Sequence, residues 1–163
     1  MKVRILTSAF LICDNKVLLM KRGLHKKFGP GNWAGIGGHI EIEDIADYHS
    51  MDFSEACYRE LKEETGIEKT SAPNLQLKYI SIRKVDGEIR YIYHYFTTVE
   101  TEFSLPDCDE GALFWIDKEQ IDELPMTVSV KVPLMNWLEN SSDEAVRLVV
   151  VNKENDAAKI LAF

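Results

Sequence analysis

The stretch Gly37–Ile67, GGHIEIEDIADYHSMDFSEACYRELKEETGI, decides how this chain is read. Its second half places Arg59, Glu60, Glu63 and Glu64 within six residues. Positions i, i+3 and i+4 share one face of an α-helix, so the three glutamates form one carboxylate patch. Like-charged pairs on a helix cost a few tenths of a kcal/mol each. Hard divalent cations prefer carboxylate oxygen, so the patch predicts a bound cation. The first half adds the Gly37-Gly38 turn and the acids Glu41, Glu43 and Asp44. A glycine loop lying against an acidic helix can hold Mg²⁺ bridged to phosphate oxygens.

Acidic helix faces are ordinarily just solvated. Here, however, the face is preceded by Gly-Gly and closed by Gly66-Ile67. The combination resembles the signature of the Nudix family: Gly, five residues, Glu, seven residues, Arg-Glu-aliphatic-x-Glu-Glu-x-Gly-aliphatic. The chain gives Gly38, five residues, Asp44, then fourteen residues to Arg59-Glu60-Leu61-Lys62-Glu63-Glu64-Thr65-Gly66-Ile67. The C-terminal half matches at every specified position. The N-terminal half departs twice, with Asp44 where Glu is usual and a spacer seven residues longer. The extra residues, Ile45 to Met51, carry Asp47, Tyr48 and His49 and are expected to form a surface loop near the site. The helix itself is expected to begin near Asp52, with Asp52 and Glu55 as a capping box and Gly66 as the left-handed C′ residue.

Outward from this stretch, the chain has 163 residues, 45% hydrophobic and 28% charged, which suits a single globular domain over 1–163. A net charge of −8 argues against nucleic acid and anionic membrane as partners. Cys13, Cys57 and Cys108 fit neither a disulfide framework nor a zinc pattern, which points to a reducing cytoplasm. The apolar run near the N-terminus is too short to span a membrane, and no cleavage site follows it.

Residues 3–13 and 17–22 read as a β-hairpin around Asp14-Asn15-Lys16, and 75–85 and 89–99 as a second around Asp86-Gly87. In the latter, alternation puts Tyr91, Tyr93 and Tyr95 on one face and Ile92, His94 and Phe96 on the other. Either face can be core, or some rings can line a base pocket. The basic, glycine-rich segment from Arg22 to Trp33 reads as a loop forming a cationic rim. Residues 112–116 are a short strand, and Asp117 caps a helical turn through Ile121. A helix follows over 128–139, where Pro133 is tolerated only in the first turn, and two strands close the chain at 147–151 and 159–162. This is an α/β chain: a mixed sheet with one helix on each face, an α/β/α sandwich. The resemblance implies the same Nudix fold.

The resemblance also implies the chemistry. Matching glutamates in the family hold Mg²⁺, which carries over to Glu60, Glu63 and Glu64 with the Gly38 carbonyl; Mn²⁺ can substitute. Arg59 orients a glutamate through a salt bridge, with Glu41 the expected partner. The water-activating base is Glu63 or Glu110. Lys21-Arg22-Gly23, Gly31 to Gly38 with Trp33, Asp109-Glu110 and Phe114-Trp115 are similar to MutT-type nucleoside triphosphatases, including those that destroy oxidised purine nucleotides. Lys21, Arg22, Trp33, Gly37 and Gly38 are accordingly the substrate-binding candidates. Base-reading relatives carry an asparagine where this chain has Ala34, and their acids before the last helix are replaced by Leu124-Pro125-Met126-Thr127. The expected reaction is Mg²⁺-dependent cleavage of a nucleoside triphosphate to a monophosphate and pyrophosphate, by a monomer or homodimer. A nucleotide sugar or dinucleotide polyphosphate as substrate, or a non-catalytic nucleotide sensor, are the alternatives.

Overall fold

The computed structural model describes residues 1–45, 52–152 and 154–161. The N-terminal hairpin forms, but only briefly. β1 (Lys2–Cys13) and β2 (Lys16–Arg22) pair at Ile12↔Val17 and Cys13↔Lys16, across a turn in which Asp14 takes φ 48°. The rest of β1 runs instead parallel to β5 (Glu88–Thr98), in register from Lys2↔Glu88 to Ile12↔Thr98. β5 is joined to β4 (Gln76–Val85) by Asp86 and Gly87, both at positive φ, the conformation a tight hairpin turn requires.

On β2 sit two strands, the two-residue β3 (Trp33–Ala34), which the sequence reading left inside the cationic loop, and β6 (Gly111–Asp117). β7 (Arg147–Val151) runs parallel to β4, and β8 (Ala158–Leu161) pairs antiparallel with β7. The order is β3-β2-β1-β5-β4-β7-β8, with β6 paired to β2, a mixed sheet as expected.

Each face of the sheet is covered by one helix. α1 (Ser54–Thr65) sets Cys57, Tyr58 and Leu61 against Ala9, Leu11, Tyr93 and Tyr95. α2 (Val128–Glu139) sets Val130, Leu134 and Trp137 against Phe10, Ile12, Phe96 and Val149. Each fully buried large apolar side chain contributes about 1.5–3 kcal/mol, so the strict alternation along β1 and β5 fixes which face meets which helix. Tyr93 and Tyr95 are thus core residues under α1 and do not line a base pocket.

Two helix expectations need correction. α1 begins one residue later than expected, with Phe53 at the N-cap; the Asp52 carboxylate accepts from the Ser54 N–H (2.9 Å) and hydroxyl (3.0 Å) instead. Glu55 turns away to Lys69, and the reciprocal capping box occurs in the 3₁₀ turn Ile42–Asp44, between Glu41 and Asp44. Pro133 is not in the first turn but is the sixth residue of α2. Having no N–H, it leaves the Ser129 carbonyl without its helical donor. The Ser81 hydroxyl of β4 supplies that bond at 2.7 Å. Its proton is thereby committed, so His94 Nε2, 3.0 Å from the same oxygen, carries a hydrogen and donates. Burial pushes this imidazole down to about 3, so it is neutral.

Candidate active site

The glycine stretch owes its position to β1. Residues 36–40 run antiparallel to it, with Ala9 N–H to Ile36 O at 2.6 Å, Ile36 N–H to Ala9 O at 3.0 Å, and Thr7 N–H to Gly38 O at 2.9 Å. The approach is so close that a Cβ at Gly37 would lie 2.1 Å from Thr7 O. At Gly38 a Cβ would meet Glu60 Oε1 at 2.5 Å. Glycine there lets Glu60 lie directly on the backbone, and the Gly38 carbonyl keeps a second lone pair for another partner.

Arg59 gathers the acids from behind. It donates through Nε and Nη2 to both oxygens of Asp44 (2.8 and 3.0 Å), through Nη2 to His39 O (3.0 Å), and through Nη1 to Glu63 (3.2 Å), with Glu60 3.0 Å away. Its partner is Asp44, not Glu41. The 3₁₀ turn swings the Asp44 side chain inward, where it is 7% exposed and also accepts the Glu41 N–H at 2.8 Å. The Arg59 hydrogen bond holds the Asp44 carboxyl below its ordinary range. Asp44 had been noted only as a departure from the signature, and its position in that signature was the signal that it mattered.

The glutamates are unequally placed. Glu63 is 59% exposed and bonded to Arg59. Glu60 is mostly buried, and burial raises its pKa. Glu64 is the most perturbed: burial first, then the charges of Glu60 and Glu110, push it up to about 8, against a bond from the Gly37 N–H. Its Oε2 is buried without a hydrogen-bond partner among the described residues. Glu110, from the loop before β6, is ion-paired with Lys26. Among the described residues no three such side chains converge closely enough to enclose an ion in this arrangement. The physical reason is visible: the carboxylates repel, and Arg59 holds Glu60 and Glu63. The donor set still fits a hard divalent cation, because a buried carboxylate oxygen with no partner beside two further carboxylates is an uncompensated site for positive charge.

Glu60, Glu63, Glu64 and Glu110 line a cleft of about 1100 Å³. Gly37, Gly38, Arg22 and Trp33 also line it, as does Ala34. Lys21 does not; it lies on the opposite side of β2 from Arg22 and is exposed. Trp33 packs on Phe114 with ring centroids 5.3 Å apart. The cleft further includes Lys26, Phe28, Arg4, Arg83 and Arg90, of which the arginines were not foreseen. The expected loop 45–51 lies, beyond Ile45, outside the described residues.

Comparison with known proteins agrees with this architecture. Residues 3–138 match the family model described as NUDIX domain. The fold is similar to that of a MutT protein from Bacillus halodurans, with TM-score 0.70, 22% identity, and 96% of this chain and 97% of that one covered. It is similar also to the E. coli ORF135 protein, with TM-score 0.63, 24% identity, and coverage of 86% and 94%. A third likeness is to the NUDIX domain of Shewanella oneidensis NrtR, complexed with ADP ribose, with TM-score 0.68, 15% identity, and coverage of 88% and 90%. The chain belongs to the NUDIX family, and its fold is that of the MutT-type Nudix hydrolases.

Proposed function

We propose that this Nudix hydrolase is a Mg²⁺-dependent pyrophosphohydrolase that cleaves a phosphoanhydride of a nucleotide. A nucleoside triphosphate giving a monophosphate and pyrophosphate is the leading substrate. The observation that carries this reading is Glu64: a buried carboxylate oxygen without a partner among the described residues, raised to about 8, lining a cleft of about 1100 Å³. Glu60, Glu63 and Glu64, with the Gly38 carbonyl, are the residues that would hold the ion. A bound divalent cation supplies charge neutralisation to the phosphate oxygens and acidity to a water.

The chain's own residues do the rest. Hydrolysis joins a water oxygen to one phosphorus, and the bridging oxygen leaves with the other phosphate. The proton lost by the water passes to a carboxylate. Glu63 and Glu110 are the candidates for that base, each oriented by a cation, Arg59 and Lys26 respectively. Arg59 is a positioning residue, which holds Glu60 and Glu63 from behind while Asp44 fixes it. Arg22 lies at the cleft and lends positive charge beside Glu64.

Ala34 offers no hydrogen bond to a base edge, whereas Trp33 provides a flat surface that any base can stack on. An apolar pocket discriminates by only about 1–3 kcal/mol per small group. The kcat/KM values for different nucleoside triphosphates should therefore fall within about two orders of magnitude. A panel of canonical and oxidised nucleotides with Mg²⁺, products resolved by chromatography, tests both substrate class and permissiveness. One oxidised purine nucleotide preferred by about 10⁴-fold or more would instead indicate a dedicated base-reading pocket. The cleft's volume, and the ADP ribose held by the NrtR domain, favour one second reading: a nucleoside diphosphate linked to a larger group.

A further inference from the structure

Three arginines from three strands meet in one row of the sheet. Arg4 of β1 is the register partner of Arg90 of β5, and Arg90 of Arg83 of β4. Ladder partners lie about 5 Å apart at Cα, so three like charges stand side by side, a destabilising arrangement with no merit for the sheet itself. Strand alternation puts them on the α2 face, next to the row Leu6–Ile92–Ser81. All three line the same cleft as the acidic residues of α1.

Their surroundings orient them without neutralising them. Glu88, 8% exposed, accepts Arg4 Nε at 2.7 Å and Arg90 Nε at 2.8 Å, one on each oxygen. Both arginines thus spend Nε on Glu88. Arg4 Nη1 donates to His39 Nε2 at 2.9 Å; an arginine cannot accept, so that ring nitrogen is the acceptor. Arg4 Nη2 and both Arg90 Nη groups have no acceptor among the described residues. Arg83 gives Nη2 to Asp156 at 2.6 Å, and its Nε is buried with no acceptor among the described residues. The Phe28 ring lies 4.7 Å from the Arg90 guanidinium and 5.9 Å from that of Arg4, which fixes their planes. One buried carboxylate serves two guanidiniums, and the third has only Asp156, 57% exposed. Positive charge is therefore left over in this cleft, on a chain of net charge −8.

We infer that the Arg4–Arg90–Arg83 row is an anion subsite for a phosphate monoester that the substrate carries on its ribose, at the 2′ or 3′ position. Guanidinium forks match phosphate oxygens in a bidentate manner, and Arg4 Nη2 and the Arg90 Nη groups have no acceptor among the described residues. A cleft of about 1100 Å³ is larger than one drug-sized ligand needs, and it accommodates a substrate with anionic groups at both ends. The inference deepens the pyrophosphohydrolase reading and rests on it for the position of the cleaved bond.

Isothermal titration of the full chain tests it, using adenosine and guanosine 5′-monophosphates against their 2′,5′- and 3′,5′-bisphosphates at fixed ionic strength with Mg²⁺. None of these contains an anhydride, so binding is read without turnover. A bisphosphate is expected to bind about 10-fold or more tightly than its monophosphate, the size of one charge-assisted hydrogen bond. Arg83→Gln and Arg90→Gln should each reduce that ratio to about threefold or less, and Arg83→Lys, which keeps the charge but loses the fork, should be intermediate. If Arg83→Gln does not fold, the ratio in Arg83→Lys decides. Equal affinities in the wild type, or a ratio unchanged in the variants, would overturn the subsite. So would inorganic phosphate alone binding as tightly as a bisphosphate, which would make the row a free-phosphate site. A nucleotide panel showing no hydrolysis while the bisphosphate preference persists would sink the hydrolytic reading and leave the subsite standing.

Discussion

At the scale of single residues, the site depends on Asp44 as much as on the signature glutamates. Asp44 meets Arg59 with both oxygens and is almost buried, so breaking the pair removes two charge-assisted hydrogen bonds. Asp44→Asn should lower stability by about 2–3 kcal/mol in denaturant unfolding, the range for lost hydrogen bonds to a charged group, and Asp44→Glu should recover part of it. The variant should also lower kcat more than it raises KM, because Arg59 would no longer hold Glu60 and Glu63. For the base, Glu63→Gln and Glu110→Gln can be compared directly. The residue that accepts the proton should lose about 10²–10⁴ in kcat with little change in KM, and losses below about tenfold in both would exclude both. That Glu60, Glu63 and Glu64 share one helix face was legible from their spacing, and their proposed roles come from the family resemblance. Asp44 as the partner of Arg59 was not, because Glu41 and Asp44 are both acidic and only the 3₁₀ turn decides which one faces inward.

At the scale of elements, two joints carry sharp expectations. Gly66 ends α1 at φ 71°, donating its N–H to Lys62 O at 2.8 Å, and a Cβ there would touch nothing. Gly66→Ala should thus cost about 1 kcal/mol through backbone conformation alone. Ser81 links β4 to α2: it serves the carbonyl that Pro133 leaves bare and accepts from His94. Ser81→Ala leaves two buried polar groups unpaired and should cost about 2–5 kcal/mol in equilibrium unfolding, whereas Pro133→Ala in that background should restore part of it by returning a helical donor. The strands other than the two-residue β3, both helices and the Asp86-Gly87 turn were legible because period and turn chemistry are local. The function of Pro133 was not, since its compensation comes from a strand some fifty residues away in sequence. The parallel pairing of β1 with β5 was equally hidden, as nothing in either strand names its partner. The row of arginines, which only that register creates, was hidden with it.

At the scale of the whole molecule, the proposed metal site makes stability depend on cation and proton together. No helix among the described residues is long and apolar enough to cross a membrane. Glu64 is raised to about 8 in the folded chain, from the ordinary 4.5 of an unfolded glutamate. Between those values the folded state binds more protons than the unfolded one, so in chelator stability should fall as pH rises through that window. His94 acts in the opposite sense lower down: being neutral when folded, it costs stability as pH falls below the ordinary 6.5 toward about 3. A divalent cation held by Glu64 as proposed would take the place of its proton and release it on binding. At about 100 times its Kd it should add about 2.7 kcal/mol. That corresponds to a rise in Tm of about 5–11 °C for a chain of this size. Because the proton competes, the rise should be larger at pH 8.5 than at pH 6. Glu64→Gln should remove both the falling limb in chelator and the pH dependence of the cation effect. A cation-induced shift that is equal at the two pH values would show that Glu64 does not hold the ion, and no shift at millimolar Mg²⁺ or Mn²⁺ would remove the metal site itself.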